Sequence, residues 1–180
     1  MSTSSDDNPS PLAPVRRVIT GHTRDGKAIV LRDEVQQPVY WNPEQKNPTY
    51  DIHRSTETPA RLDEEIVGDG VWPDKVQGTR NIVEPNGSVG RSHDFAPGFV
   101  VPMHRTYSLD YGVVMKGEIT MILDDGARVV LKEGDIVVQR GTIHEWRNET
   151  NEWGRMIFVC LPSEKIVVDG KTQEDGFIDN

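Results

Sequence analysis

The chain of 180 residues holds a single cysteine, Cys160. One thiol cannot close an intramolecular disulfide, so no disulfide framework holds this fold, and a reducing compartment is expected. In the apolar run Met156-Ile-Phe-Val-Cys160-Leu, that thiol is expected to be a buried core group and not a nucleophile. Positive charge is also scarce: 20 Lys and Arg stand against 29 Asp and Glu, a formal net charge of −9 with no basic cluster. That balance argues against nucleic acid and anionic membrane surfaces as partners. No apolar run approaches the roughly 20 residues that a membrane-spanning helix needs. The start, Met1-Ser-Thr-Ser-Ser-Asp-Asp, lacks the basic and apolar segments of a secretory leader. A cytoplasmic protein is therefore expected. Aromatics make up 7% and apolar residues 35%, which is lean but sufficient for one domain around one core.

What the chain has instead is turn residues, 16 Gly and 12 Pro, placed at short intervals. Val15–Gly21 and Lys27–Leu31 read as strands joined by the turn Thr23-Arg24-Asp25-Gly26, an Asp-Gly hairpin signal. Pro38–Pro48 reads as loop, with Tyr40 and Trp41 as exposed aromatics, and Tyr50–Thr56 as strand. Arg61–Glu65 is polar with room for one helical turn, Asp69-Gly70 is a turn, and Gly78–Glu84 is a strand candidate. From there the punctuation is regular: Ser88–Phe95, Tyr111–Lys116, Glu118–Leu123, Ala127–Leu131, Asp135–Gln139 and Arg155–Leu161 are short strands between Gly-containing turns. Such spacing predicts an all-β sandwich or barrel. Asp124-Asp125-Gly126 is a turn with too few oxygen donors for calcium. Four stretches follow: a disordered tail (1–14), N-terminal strands and loops packing on the barrel (15–85), the barrel (86–162) and a polar C-terminal tail (163–180).

The residues that carry chemistry cluster between Gly98 and Asn148. His104 and Thr106 share one face of a strand, because side chains alternate with period two. Asp110 follows after a short loop, and His144 comes from a different hairpin. Two imidazoles and a carboxylate suit Fe, Mn, Zn or Ni and leave coordination positions free for water or substrate. Tyr111, Trp146 and Gln139 are expected beside them as a substrate pocket. Arg140 is a candidate clamp for a substrate carboxylate against the simpler reading of a solvent-facing turn arginine. Arg105 alternates away from His104. His93 stands either inward as a further ligand or base, or as a satisfied histidine. His22 and His53 have no clustered partners.

The spacing of these residues resembles the two motifs of the cupin superfamily. Gly98, five residues, His104, one residue, Thr106, three residues, Asp110, six residues and Gly117 match the first. Gly134, then Gln139-Arg140-Gly141, His144 and Asn148 match the second. Thr106 stands where the family has a second histidine, Asp110 where it has glutamate, and Gln139 where it has proline. The strings Met103-His-Arg-Thr-Tyr-Ser-Leu-Asp-Tyr-Gly112 and Gln139-Arg-Gly-Thr-Ile-His-Glu-Trp-Arg-Asn148 are similar to a group of single-domain cupins of fungi and bacteria, some found beside small-molecule pathways. The resemblance implies an all-β cupin conserved barrel, the double-stranded β-helix or jelly roll, with extra N-terminal strands and often a homodimer. It implies a divalent transition metal on His104, Asp110 and His144, with Thr106, Asp110 and Arg140 as catalytic candidates. The expected activity is a metal-dependent lyase or isomerase in secondary metabolism that decarboxylates, dehydrates or isomerises an organic acid or polyketide-like metabolite. An Fe(II)-dependent dioxygenase and a non-catalytic ligand-binding or accessory protein are the alternatives.

Overall fold

A computed structural model describes residues 9–41, 47–62, 74–76 and 81–177. Among them every regular element is a strand, and no helix is long and apolar enough to cross a membrane. Two antiparallel sheets face each other. The first has six strands in the order β10 (Ile136–Arg140), β7 (Ser108–Lys116), β12 (Gly154–Pro162), β5 (Ser88–Phe95), β4 (Pro48–Ser55) and β3 (Val39–Tyr40). The second has five: β15 (Gly176–Phe177), β6 (Val100–Arg105), β11 (His144–Arg147), β8 (Glu118–Leu123) and β9 (Arg128–Lys132). Outside them lie two hairpins, β1 (Arg16–His22) with β2 (Ala28–Val35), and β13 (Val167–Val168) with β14 (Lys171–Thr172). Between the sheets sits one apolar cluster of Phe95, Val114, Ile119, Met121, Leu131, Trp146 and Met156. Burying such side chains contributes about 1.5–3 kcal/mol each, the main term holding the two layers together.

Period-two alternation decides what each strand shows to the cavity between the sheets. On β7, Ser108, Asp110, Gly112 and Val114 are buried while Tyr111 faces out. The motif glycines are required by the backbone. Gly117 has φ +74°, and a Cβ there would lie 3.0 Å from the Trp153 carbonyl oxygen. Gly141 has φ +62°, and its Cβ would lie 2.7 Å from the Ile166 side chain. Only glycine meets both demands at little cost.

Asn148 ties the end of β11 to the turn before β6. It donates from Nδ2 to the carbonyls of Phe95 (2.9 Å) and Glu152 (2.7 Å) and accepts from Thr150 N and Oγ1 at 3.0 and 2.8 Å. Its backbone N–H donates to the Phe99 carbonyl at 3.0 Å, and its own carbonyl accepts from Gly98 N at 3.0 Å. The motif asparagine is thus a structural knot.

Arg17 and Arg155 fasten the N-terminal region to the barrel through backbone carbonyls. Arg17, on β1, donates to the Ile52 carbonyl of β4 at 3.1 Å and pairs with Glu34 and Asp74. Arg155 donates from Nε and Nη2 to Asp94 at 2.5 and 2.8 Å, and from Nη1 to the Ala13 carbonyl at 2.7 Å.

Several expectations need correction. Within the stretch expected to be a disordered tail, Ser10 is buried and donates to Asp94 at 2.7 Å, because a fully buried carboxylate recruits a second donor there. Residues 1–8 lie outside the described residues. The loop expected at 38–48 contains β3, whose Val39 and Tyr40 pair with Thr49 and Pro48. Of the strand candidate 78–84, residues 81–84 are irregular, and 78–80 lie outside the described residues, as do 63–65 of the polar turn and the Asp69-Gly70 turn. The polar C-terminal stretch adds three short strands, and β15 extends the five-stranded sheet beside β6.

Candidate functional site

The pairing of β11 with β6 sets His144 directly opposite His104, so both side chains emerge on the same face of the sheet. Their ring centroids are 4.3 Å apart with the planes tilted by 51°. Each ring is held by its own chain two residues earlier. His104 Nδ1 donates to the Pro102 carbonyl at 2.7 Å, and His144 Nδ1 to the Thr142 carbonyl at 3.0 Å. A carbonyl oxygen can only accept, so the hydrogen sits on Nδ1 and each Nε2 keeps a free lone pair. Burial pushes the His104 ring below the ordinary imidazole range, against the Pro102 carbonyl, which raises it. Burial, with the neighbouring His104 charge, lowers His144 further, to about 4, against the Thr142 carbonyl. At neutral pH the pair is uncharged.

Next to the pair lies a cavity of about 120 Å³. That is close to the ~150 Å³ void that accommodates one benzene-sized ring in a protein interior. One wall carries His104 and His144 with Val101 and Trp146, whose indole stands edge-on to His144 at 5.4 Å. The facing wall, on β4, β5, β7 and β12, carries Thr49, Arg91, His93, Phe95, Asp110, Phe158 and Cys160. Trp41 and Ile82 complete it, with the Trp41 ring 4.8 Å from the Arg91 guanidinium. Trp41, expected as an exposed loop aromatic, is 40% exposed and also belongs to this lining.

Among the described residues no three His, Cys, Asp or Glu side chains converge closely enough to hold a metal ion. The expected three-donor set is therefore not assembled. Asp110 stands on β7, in register with Cys160 of β12, and shares hydrogen bonds with the side chains of Ser108 and Cys160. Its strand belongs to the sheet opposite the histidines, and its side chain is one methylene shorter than the glutamate of the family motif. Burial raises the Asp110 carboxyl above its usual range, and its Oδ1 has no hydrogen-bond partner. What fits a divalent ion is the histidine pair alone: two neutral imidazoles with free Nε2 atoms and Nδ1 atoms anchored on carbonyls, as metal-ligating histidines are usually held.

The other sequence-derived candidates divide. Thr106 lines the cavity, its hydroxyl 2.8 Å from that of Ser108, and Trp146 lines it as expected. Gln139 is buried but turned to its own hairpin, where Oε1 accepts from Thr142 at 2.5 Å. Arg140 alternates with Gln139 and faces solvent. Tyr111 is 43% exposed between Val138 and Val159 on the outer face of the six-stranded sheet, one residue out of phase with Asp110.

Arg91, Thr49, Phe158 and Phe177 were not anticipated. Arg91, His93 and Phe95 follow one another at every second position of β5, the one local signal for the first of them. His93 is partly buried, its Nδ1 2.6 Å from the Thr49 hydroxyl, and burial with the nearby Arg91 charge lowers it to about 3. Phe177 on β15 pairs opposite His104, with ring centroids 5.7 Å apart.

A family model described as "Cupin domain" matches residues 91–160. The chain is 37% identical over 171 residues to the cupin-domain-containing oxidoreductase fogC of Aspergillus ruber, covering 91% of this chain and 80% of that protein. It is 35% identical over 156 residues to the cupin-domain-containing oxidoreductase virC of Hypocrea virens, covering 85% and 78%. Phomopsin biosynthesis cluster protein C' of Diaporthe leptostromiformis is 54% identical over 88 residues, 48% of this chain and 47% of that one. A cupin 2 conserved barrel domain protein of Salinispora arenicola superposes with a TM-score of 0.44 at 19% identity, covering 69% of this chain and 86% of that one. With its two motif frames, its facing antiparallel sheets and these relatives, the chain belongs to the cupin superfamily.

Proposed function

We propose that this protein is a metal-dependent oxidoreductase of small-molecule biosynthesis that acts on a metabolite seated in the barrel cavity. The observation that carries this is the His104–His144 pair at 4.3 Å, with both Nε2 lone pairs free beside a ring-sized cavity. The relatives named oxidoreductases, and the one named for a biosynthesis cluster, favour the oxidative alternative over the decarboxylation, dehydration or isomerisation first expected.

His104 and His144 would hold the ion through Nε2, leaving its other positions to water and substrate. A divalent transition metal bound there supplies Lewis-acid or one-electron chemistry. The His144 imidazole itself is a poor base, because a group with a pKa of about 4 is a weak proton acceptor at neutral pH, and His104 is shifted in the same direction. Proton transfer falls instead to Asp110, whose raised carboxyl is nearer the working range. Thr106 orients the substrate or a water, and Trp146, Phe158 and Val101 give the substrate an apolar wall. The oxidant is dioxygen. Written as a dioxygenation, the product gains both oxygen atoms and no external reductant enters the balance.

Metabolite profiling of a deletion strain tests the reaction class. An accumulating compound that lacks two oxygen atoms relative to the normal product supports dioxygenation. One that differs by carbon dioxide, by water, or only in connectivity restores the lyase or isomerase. An unchanged profile supports an accessory role. The homodimer implied by the family resemblance belongs to the same proposal, and a monomer by light scattering removes it.

A further inference from the structure

The wall facing the histidine pair carries three buried polar atoms with no hydrogen-bond partner: Arg91 Nη1, His93 Nε2 and Asp110 Oδ1. Buried polar atoms are normally paired, so three around one cavity mark a place where the polar group of a ligand is received. The rest of the Arg91 guanidinium is fully engaged. Its Nε and Nη2 donate to Asp51 Oδ1 at 2.9 and 2.6 Å, and Trp41 covers its face. Only Nη1 is left to donate. His93 is anchored at Nδ1 by Thr49, and its Nε2 carries the ring hydrogen when Thr49 donates its own.

We propose that Arg91 Nη1 and His93 Nε2 form a carbonyl-oxygen subsite that selects a neutral, single-ring-sized carbonyl compound and points its other end at the histidine pair. This rests on the reading of the cavity as the substrate site. Charge decides between a carbonyl and a carboxylate. Asp51 already neutralises Arg91 at 2.6 Å, and among the described residues Asp110 is the one other Asp, Glu, Lys or Arg lining the cavity. At this end of the cavity a bound carboxylate would therefore lie near Asp110 with the Arg91 charge already spent on Asp51. A carbonyl oxygen accepts the same hydrogens without adding charge there. The distribution of polar groups thus sets both the substrate's class and its orientation.

The test uses metal-free protein and the H104A/H144A double variant, titrated with acetophenone, benzoate and ethylbenzene and followed by NMR of the arginine and histidine side-chain nitrogens. In both proteins acetophenone is expected to shift the Arg91 and His93 nitrogens and to bind about tenfold more weakly after Arg91→Lys, the loss of one charge-assisted hydrogen bond. Lysine keeps a cation for Asp51 and cannot place Nη1. Benzoate is expected to bind more weakly than acetophenone, and ethylbenzene to be indifferent to the substitution. Unmoved Arg91 nitrogens in the unsubstituted protein, equal acetophenone affinity in Arg91→Lys, or tighter binding of benzoate overturns the proposal. Because no metal is present, failure of the metal-centre reading leaves these outcomes intact.

Discussion

His144 lies directly across the β6–β11 pairing from His104, and a β-bulge follows at once, between His144 and Trp146. The extra residue lies on β6, where Pro102 and Met103 face the single Glu145, while β11 keeps an unbroken register with β8. Trp146 therefore follows His144 on the same face by ordinary period-two alternation and packs edge-on against it. The pairing thus places the ligand pair, and the regular strand carries the apolar cover beside it.

The buried pair Arg155–Asp94 gives a prediction about stability. Asp94 is fully buried and accepts from Arg155 at 2.5 and 2.8 Å and from the Ser10 hydroxyl at 2.7 Å. Arg155→Met is expected to cost about 3–5 kcal/mol, since an uncompensated carboxylate is left behind. The double variant R155M/D94N is expected to recover much of that loss. Urea unfolding of the three proteins checks it, and additive losses in the double variant contradict it.

Asn148 is a second stability prediction. It makes four side-chain hydrogen bonds from a site 1% exposed. Asn148→Ala is expected to lower stability by about 3 kcal/mol without adding or removing a ligand at the histidine pair. A thermal melt that does not move would show that the motif asparagine acts otherwise.

Stability should also fall in acid because of His93. Its folded pKa is lowered to about 3 by burial and the Arg91 charge, whereas an unfolded histidine titrates near 6.5. Above pH 6.5 both states are neutral and the group contributes nothing to the pH dependence. As pH falls from 6.5 towards 3, the unfolded chain takes up a proton that the folded chain refuses, and stability is lost progressively. Denaturant unfolding between pH 7.5 and 4 checks this against His93→Gln, which is expected to flatten that part of the curve. Identical curves for the two proteins contradict it.

Most strands were legible in the sequence because turn glycines and period-two alternation are local signals. Ser88–Phe95 and Glu118–Leu123 match the observed strands to the residue. The position of the site was legible for the same reason, since motif spacing places His104 and His144 in strands. Which sheet each residue joins was not. Asp110 looks adjacent to His104 in the chain, yet it belongs to the opposite wall, and that separation depends on long-range pairing. Arg91 carried a weak signal, alternation with His93, whose meaning appears only when β12 and β4 flank β5. Phe177 sits in a two-residue strand with no periodicity to read, and its contact with His104 is made by sheet pairing alone.

The central claim is a metal held by the histidine pair without Asp110, and metal titration calorimetry of stripped protein tests it directly. Fe(II), Mn(II), Ni(II) or Zn(II) is expected to bind at about one equivalent, with His104→Ala and His144→Ala each weakening affinity by about a hundredfold or more and Asp110→Asn changing it little. No binding of any of these ions, or a loss in Asp110→Asn as large as in the histidine variants, would contradict the account.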